Sequence, residues 1–326
     1  SLLLPLSYAL GNPVTSIIML AGIYYGAMYG GSTTSILLNI PGEAASVVTC
    51  IDGYQMAKKG RAGAALGMAA IGSFIAGTAG VIGLTFVAPP LSAFALQFGP
   101  AEYFSLTILG LMLATYLSGK SVMKGMIMAV LGLLLATVGM DPVTGNMRYT
   151  FGLLILEDGF DFLTLGMGLF GIGEIFLTLE GKMKAELVTT KITRLWPTLQ
   201  DWAVSKWSVA RGSVIGFFVG LLPGGGAVIA SLLAYAVEKR VSREPEKFGT
   251  GALEGVASPE SANNSAASAS FIPMLTLGIP GNPAIAMIFA ALLIQGVTPG
   301  PLLIKDHPDL FWAVIASMYI GNVMLL

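Results

Sequence analysis

Three stretches of this 326-residue chain, residues 1–42, 62–101 and 261–304, carry no charged side chain at all. A helix needs roughly 20 apolar residues to cross the hydrocarbon core of a bilayer, so each stretch has room for one or two passes. A soluble domain has about a quarter of its residues charged; here 11% are charged and 55% are hydrophobic. An ordinary soluble globule is excluded, and an all-α polytopic membrane protein is predicted. The 42 glycines suit close helix packing, as in the run Gly63 to Gly83, and the ten-residue alternation of a membrane barrel is absent. One cysteine, Cys50, excludes an internal disulfide, and one histidine, His307, excludes a His-cluster metal site. Ser1 opens on apolar sequence without a basic flank, so no signal peptide is read. Residues 311–326 stop inside an apparent span, and we read the chain as a fragment at both ends.

Within the uncharged stretches one pattern occurs twice, Asn39-Ile40-Pro41-Gly42-Glu43 and Gly278-Ile279-Pro280-Gly281-Asn282. A Pro-Gly pair removes a backbone donor and then frees the chain to turn, so it breaks a helix. At membrane depth broken backbone persists only where protein buries it or a watery cavity reaches it. Paired breaks in corresponding halves mark the substrate site of secondary transporters. The apolar segments read as 62–88, 103–119, 125–140, 163–180, 212–237 and 310–326, with broken regions over 13–57 and 259–297. Leu222-Pro223-Gly224-Gly225-Gly226, near the middle of 212–237, predicts the tip of a re-entrant hairpin, the alternative being one continuous tilted helix that would move four basic residues to the other side.

Charge placement gives an orientation. With 212–237 entering and leaving on one side, 15 of the 17 Lys and Arg residues fall in loops of that side, which the positive-inside rule makes cytoplasmic. The loop Asp141 to Asp161 lies opposite, with Arg148 against four carboxylates. The first Ile-Pro-Gly break then leads to the cytoplasmic turn Lys58–Arg61 and the second to Lys305–Asp309 on the other side, as an inverted repeat would run. The halves are expected at 1–180 and 212–326, joined by a cytoplasmic connector over 181–211. Trp196, Trp202 and Trp207, among basic residues, suit an interfacial helix in that connector.

Two polar regions could carry chemistry. A helix starting near Glu43 would offer free N–H groups and about half a positive charge from its dipole, a setting for a carboxylate. Candidate substrate ligands are Ser32, Thr33, Thr34, Asn39, Pro41, Gly42 and Ser46, and in the second region Pro280, Gly281 and Asn282. The alternative is that these hydroxyls satisfy neighbouring backbone and the glycines only permit packing. Glu43, Glu260, Asn263 and Asn264 are the candidates for a coupling ion, sodium or a proton, although Glu43 could serve only as a helix N-terminal carboxylate and the two amides only as caps. Glu174 suits an interfacial helix end. No cofactor, His/Cys metal site or enzymatic activity is expected: G-x-x-x-x-G-K-[ST] and H-E-x-x-H are absent.

The stretch Tyr29-Gly30-Gly31-Ser32-Thr33-Thr34-Ser35-Ile36-Leu37-Leu38-Asn39-Ile40-Pro41-Gly42-Glu43 closely resembles the large membrane subunit of tripartite tricarboxylate transporters, the TctA family. So do Asp52–Met56, Phe98–Phe104, Ser258–Asn264 and Gly278–Gly281. The resemblance implies a subunit of a bacterial inner-membrane secondary transporter, working with a small four-helix membrane subunit and a periplasmic solute-binding protein. Citrate or related organic anions would be imported by symport down an ion gradient, through alternating access. It further implies a longer chain with another N-terminal hairpin, the counterpart of the Pro223 element. A passive anion channel or a membrane scaffold is the rival reading. A homo-oligomer is compatible with the sequence, and nucleic acid has no role in it.

Overall fold

A computed structural model describes residues 4–117, 121–141, 145–160, 165, 172, 176, 195–224 and 226–326. Glu174, Gly225 and most of the expected segment 163–180 lie outside the described residues. The described chain is almost wholly helical, as expected. Its helices are α1 (Leu4–Ala9), α2 (Pro13–Leu38), α3 (Val47–Lys58), α4 (Ala62–Ala95), α5 (Pro100–Leu117), α6 (Val122–Ala136), α7 (Leu199–Gly220), α8 (Gly226–Val241), α9 (Glu254–Ala269), α10 (Phe271–Leu277), α11 (Pro283–Ile294), α12 (Leu303–Asp306) and α13 (Pro308–Met324). A two-residue antiparallel ladder, Gly139–Met140 with Met147–Arg148, closes the acidic loop.

Two of the described helices are long and apolar enough to cross a membrane, Pro13–Leu38 and Ala62–Ala95. That is fewer than the apolar segments suggest. The others are short, as α11 and α13 are, or polar at one end, as α7 is. Helix α4 runs on past the expected limit at 88, through Pro89 and Pro90. At 1.5 Å per residue its 34 residues reach about 50 Å.

Helix α9 is the axis of the bundle, packed by α7 on one side, α4 on another and α8 on a third. Every residue from Gly255 to Ala269 is buried, although the sequence Gly-Val-Ala-Ser-Pro-Glu-Ser-Ala-Asn-Asn-Ser-Ala-Ala-Ser-Ala is half polar. Small side chains make this burial feasible by letting neighbouring backbones come close. On α7, a Cβ added at Gly212 would fall 2.3 Å from the Ser258 carbonyl oxygen, and one at Gly216 would fall 2.2 Å from that of Ala262. Helices α5 and α6, by contrast, pack mainly on each other, and α6 buries no residue.

Helices α7 and α8 pack on each other about a turn at Pro223, with the first helix beginning at Leu199 rather than near 212. Thr198 and Asp201 close a capping box there, each side chain bonding the other's backbone N–H, the standard start of a helix. Trp202 and Trp207 therefore sit on the first arm of the hairpin, while Trp196 precedes it.

Candidate functional site

The two Ile-Pro-Gly segments interrupt helices in the same way. Helix α2 ends at Asn39 in left-handed backbone (φ 56°), and α10 ends at Gly278 in the same conformation (φ 72°). Beyond each, the isoleucine N–H reaches back six residues, Ile40 to the Thr34 carbonyl at 3.4 Å and Ile279 to the Pro273 carbonyl at 3.2 Å. The Asn39 and Gly278 N–H groups bond the same two carbonyls from five residues on, the 6→1 spacing of a Schellman ending. The chain then returns alongside the helix it has left: Gly42 donates to the Gly31 carbonyl at 3.4 Å, and Gly281 lies beside Ser270. A Cβ at Gly42 would fall 2.5 Å from the Gly31 Cα, so this return needs glycine at both positions.

Each break then opens a new helical segment on an extended N-cap residue, Glu43 (φ −150°, ψ 165°) or Asn282 (φ −158°, ψ 168°). Glu43 Oε2 accepts from Ala45 N–H at 2.5 Å, and Asn282 Oδ1 accepts from Ile285 N–H at 3.0 Å. The contacts across the bundle are reciprocal. Asn263 on α9 donates from Nδ2 to Glu43 Oε1 at 3.1 Å, while Asn282 donates from Nδ2 to the Tyr24 hydroxyl on α2 at 3.2 Å. The sequence shift that carries Glu43 onto Asn282 also carries Tyr24 onto Asn263. The N-cap residue of each break thus touches the equivalent position on the long helix of the other.

The hairpin tip joins them. Gly224 N–H donates to the Gly281 carbonyl at 2.9 Å, and Ser231 on α8 donates to the Ala45 carbonyl at 3.0 Å. Ala227, Ala230 and Ala234 pack with Ala45, Ala262 and Ala266. Of the expected tip residues, Pro223, Gly224 and Gly226 adjoin the second break.

One helical turn from Asn263, the wholly buried Glu260 accepts from Ser32 Oγ at 2.5 Å and from Thr49 Oγ1. Asn264 donates from Nδ2 to Ser73 Oγ at 2.7 Å and to the Glu260 carbonyl at 3.0 Å. Both asparagines lie inside α9, so the reading of them as caps is replaced by one of interhelical contact. Among the described residues, the hydrogen-bond partners of Glu43 and Glu260 are amides, hydroxyls and backbone N–H groups, with no Lys or Arg. Asn263 Oδ1 is buried and unpaired.

The expected substrate ligands divide. Ser32, Pro41, Gly42, Pro280, Gly281 and Asn282 belong to the breaks or face them. Ser46 is buried, its hydroxyl donating to the Glu43 carbonyl and accepting from Ser35 Oγ, so it serves the backbone. Thr34 donates to the Gly31 carbonyl at 3.1 Å, again a backbone role. Thr33 and Asn39 are exposed. Sequence reasoning missed Tyr24, Ser73 and the pairing of Thr49 with Glu260. These partners are separated by up to 258 residues, and no local pattern announces them.

A model of the tripartite tricarboxylate transporter TctA family matches residues 1–326. The chain belongs to that family. It is similar to an uncharacterized 52.8 kDa protein in the TAR-I ttuC' 3' region of Agrobacterium vitis, 52% identical over 326 residues, which are all of this chain and 65% of that protein. It is also similar to an uncharacterized protein in the TAR-II ttuC' 3' region of the same organism, 59% identical over 111 residues, 34% of this chain and 46% of that one. The TctA chain described here thus spans less than two thirds of the length of either relative. No solved structure matches it.

Proposed function

We propose that this chain is part of the large transmembrane subunit of a secondary transporter in the bacterial inner membrane, carrying tricarboxylates or related organic anions with a coupling cation. The observation that carries the reading is the reciprocal pair Glu43–Asn263 and Asn282–Tyr24. Contact of residue i with j, matched by the equivalent of j with the equivalent of i, is what a two-fold axis produces. With the opposite directions in which the breaks are traversed, it supports two inverted halves meeting at a midplane site.

The chemistry of the site supports ion coupling. A carboxylate at the membrane centre costs at least ~2.5 kcal/mol, and Glu43 and Glu260 have no basic partner among the described residues. A proton or a sodium ion neutralises them. Glu43 Oε1, with the open Asn263 Oδ1 beside it, offers oxygen ligands of the kind sodium takes at broken helices. An organic anion entering the same space adds negative charge, so it binds best after the cation. That order couples the two fluxes. The family resemblance adds a small membrane subunit and a periplasmic binding protein as partners.

The test is uptake of labelled citrate and other di- and tricarboxylates into proteoliposomes holding the full-length complex and its binding protein, under an imposed sodium or proton gradient without ATP. Accumulation above equilibrium is expected. Uptake that merely equilibrates, indifferent to any gradient, would establish a channel instead.

A further inference from the structure

Ser32 faces two ways. Its hydroxyl donates to Glu260 Oε2 at 2.5 Å, and the same residue forms part of the inner wall of a cavity of about 300 Å³. Tyr29 and Thr33 of α2, the start of α4 from Leu66 to Ile71, and Leu195 with Trp196 complete most of the lining. One hydrogen bond therefore separates the buried Glu260 carboxylate from an open space.

The outer wall is a strap, Leu195 to Pro197, laid directly on α4. A Cβ at Gly67 would fall 1.9 Å from the Leu195 carbonyl oxygen and 3.0 Å from Pro197 Cδ, so only glycine lets the strap lie there. Beyond it the chain is fixed by the Thr198–Asp201 capping box and by the Arg61–Asp201 ion pair at 2.5 Å. This end of α4 adjoins the Lys58–Arg61 turn, the side that charge placement makes cytoplasmic. Among the described residues, the lining offers hydroxyls, a strap carbonyl and apolar side chains, with no Lys or Arg. An organic polyanion finds no counter-charge there; a hydrated cation finds oxygen atoms.

We propose that this cavity is the cytoplasmic access path of the coupling cation, which leaves Glu260 past Ser32 and reaches the cytoplasm behind Trp196. The Glu260 carboxylate left behind is held by the Ser32 and Thr49 hydroxyls until the next cation arrives. This path rests on the reading of Glu260 as an ion-coupling group, and the experiment keeps the two separable.

In the full-length protein with Cys50→Ser, a single cysteine is placed in the cavity wall by Ala70→Cys, with Leu66→Cys as the second variant should the first fail to fold. Gradient-driven anion uptake is measured first. Vesicles of each orientation are then treated with a charged, membrane-impermeant methanethiosulfonate. Labelling from the cytoplasmic face, accelerated several-fold by Trp196→Ala and slowing subsequent gradient-driven uptake, is expected. Labelling confined to the periplasmic face, a rate unmoved by Trp196→Ala, or undiminished uptake after full labelling would overturn the path. In those cases uptake before labelling leaves the transporter reading standing. If the unlabelled wild-type protein drives no organic anion against its gradient, that reading falls and the path falls with it.

Discussion

At the scale of single residues, the described site is set by a few polar atoms in a nearly apolar bundle. Asn263 bonds Glu43 with its amide nitrogen and keeps Oδ1 free; Asn264 instead ties α9 to Ser73 on α4. Replacing both with alanine is expected to abolish gradient-driven uptake while membrane insertion and expression persist, and near-normal uptake would refute their role. Gly42→Ala tests the break itself. Its Cβ would fall 2.5 Å from the Gly31 Cα, and backbone cannot step aside as a flexible side chain can. The variant is expected to lose several kcal/mol of stability, on the order of other strained or overpacked sites, read as a lowered melting temperature in detergent. The two Pro-Gly signals were legible in the sequence because backbone chemistry is local. Which hydroxyl meets which carboxylate was not: Ser35, Ser46 and Thr34 look as functional as Ser32 in a string of letters, yet three of them satisfy neighbouring backbone or one another.

Among the elements, the hairpin of α7 and α8 shows how a boundary can be misjudged while a tip is found. Pro223 and its glycines punctuate the sequence, but the first arm starts at a capping box thirteen residues before the expected border at 212. Charged and aromatic residues hid it, since an apolar window cannot see a helix whose first turns lie outside the membrane. Burial pushes the Asp201 carboxyl up, but the Thr198 N–H and hydroxyl and the Arg61 guanidinium outweigh this and hold it below the usual carboxylate range. A depressed carboxylate contributes stability above its unfolded pKa, about 3.9, and loses it as pH falls through the folded value. Asp201→Asn is therefore expected to cost about 0.5–2 kcal/mol at neutral pH, as caps do, with the gap to wild type closing below pH ~4 in thermal melts. Glycine faces differ in the same testable way. Gly216 lies on Ala262 backbone, whereas a Cβ at Gly26 meets nothing within 4 Å. Gly216→Leu should collapse the α7–α9 contact, and Gly26→Leu should leave the described bundle intact in a detergent melt.

For the molecule as a whole, the N-terminal helices are latched to the chain beyond α7 by Asp52. Its Oδ1 accepts from the N–H groups of Gly249, Gly251 and Ala252 at 2.7–2.9 Å, and its Oδ2 accepts from the Tyr235 hydroxyl at 2.8 Å. All four donors lie beyond α7, so one carboxylate on α3 holds the loop that feeds the central helix α9. Asp52→Ala strands these donors and is expected to cost at least about 1–3 kcal/mol, the cost of leaving a buried donor unsatisfied, measured by melting in detergent. The cytoplasmic placement of the Lys58–Arg61 turn is checked by Lys59→Cys in a Cys50→Ser background, labelled only from the cytoplasmic face; periplasmic labelling would invert the topology.

Symmetry of frame is not symmetry of charge. The two N-caps share backbone angles and reciprocal partners, yet one is glutamate and the other asparagine. If rocking about the shared axis exchanges their depths, the single carboxylate changes its place in the electric field of the membrane, and its neutral counterpart does not. Moving one elementary charge through the whole field is worth about 2.3 kcal/mol per 100 mV. In the proposed cycle, voltage would tilt the balance between the open-in and open-out forms whenever Glu43 moved as a bare carboxylate, and a bound monovalent cation would cancel the bias of that one charge.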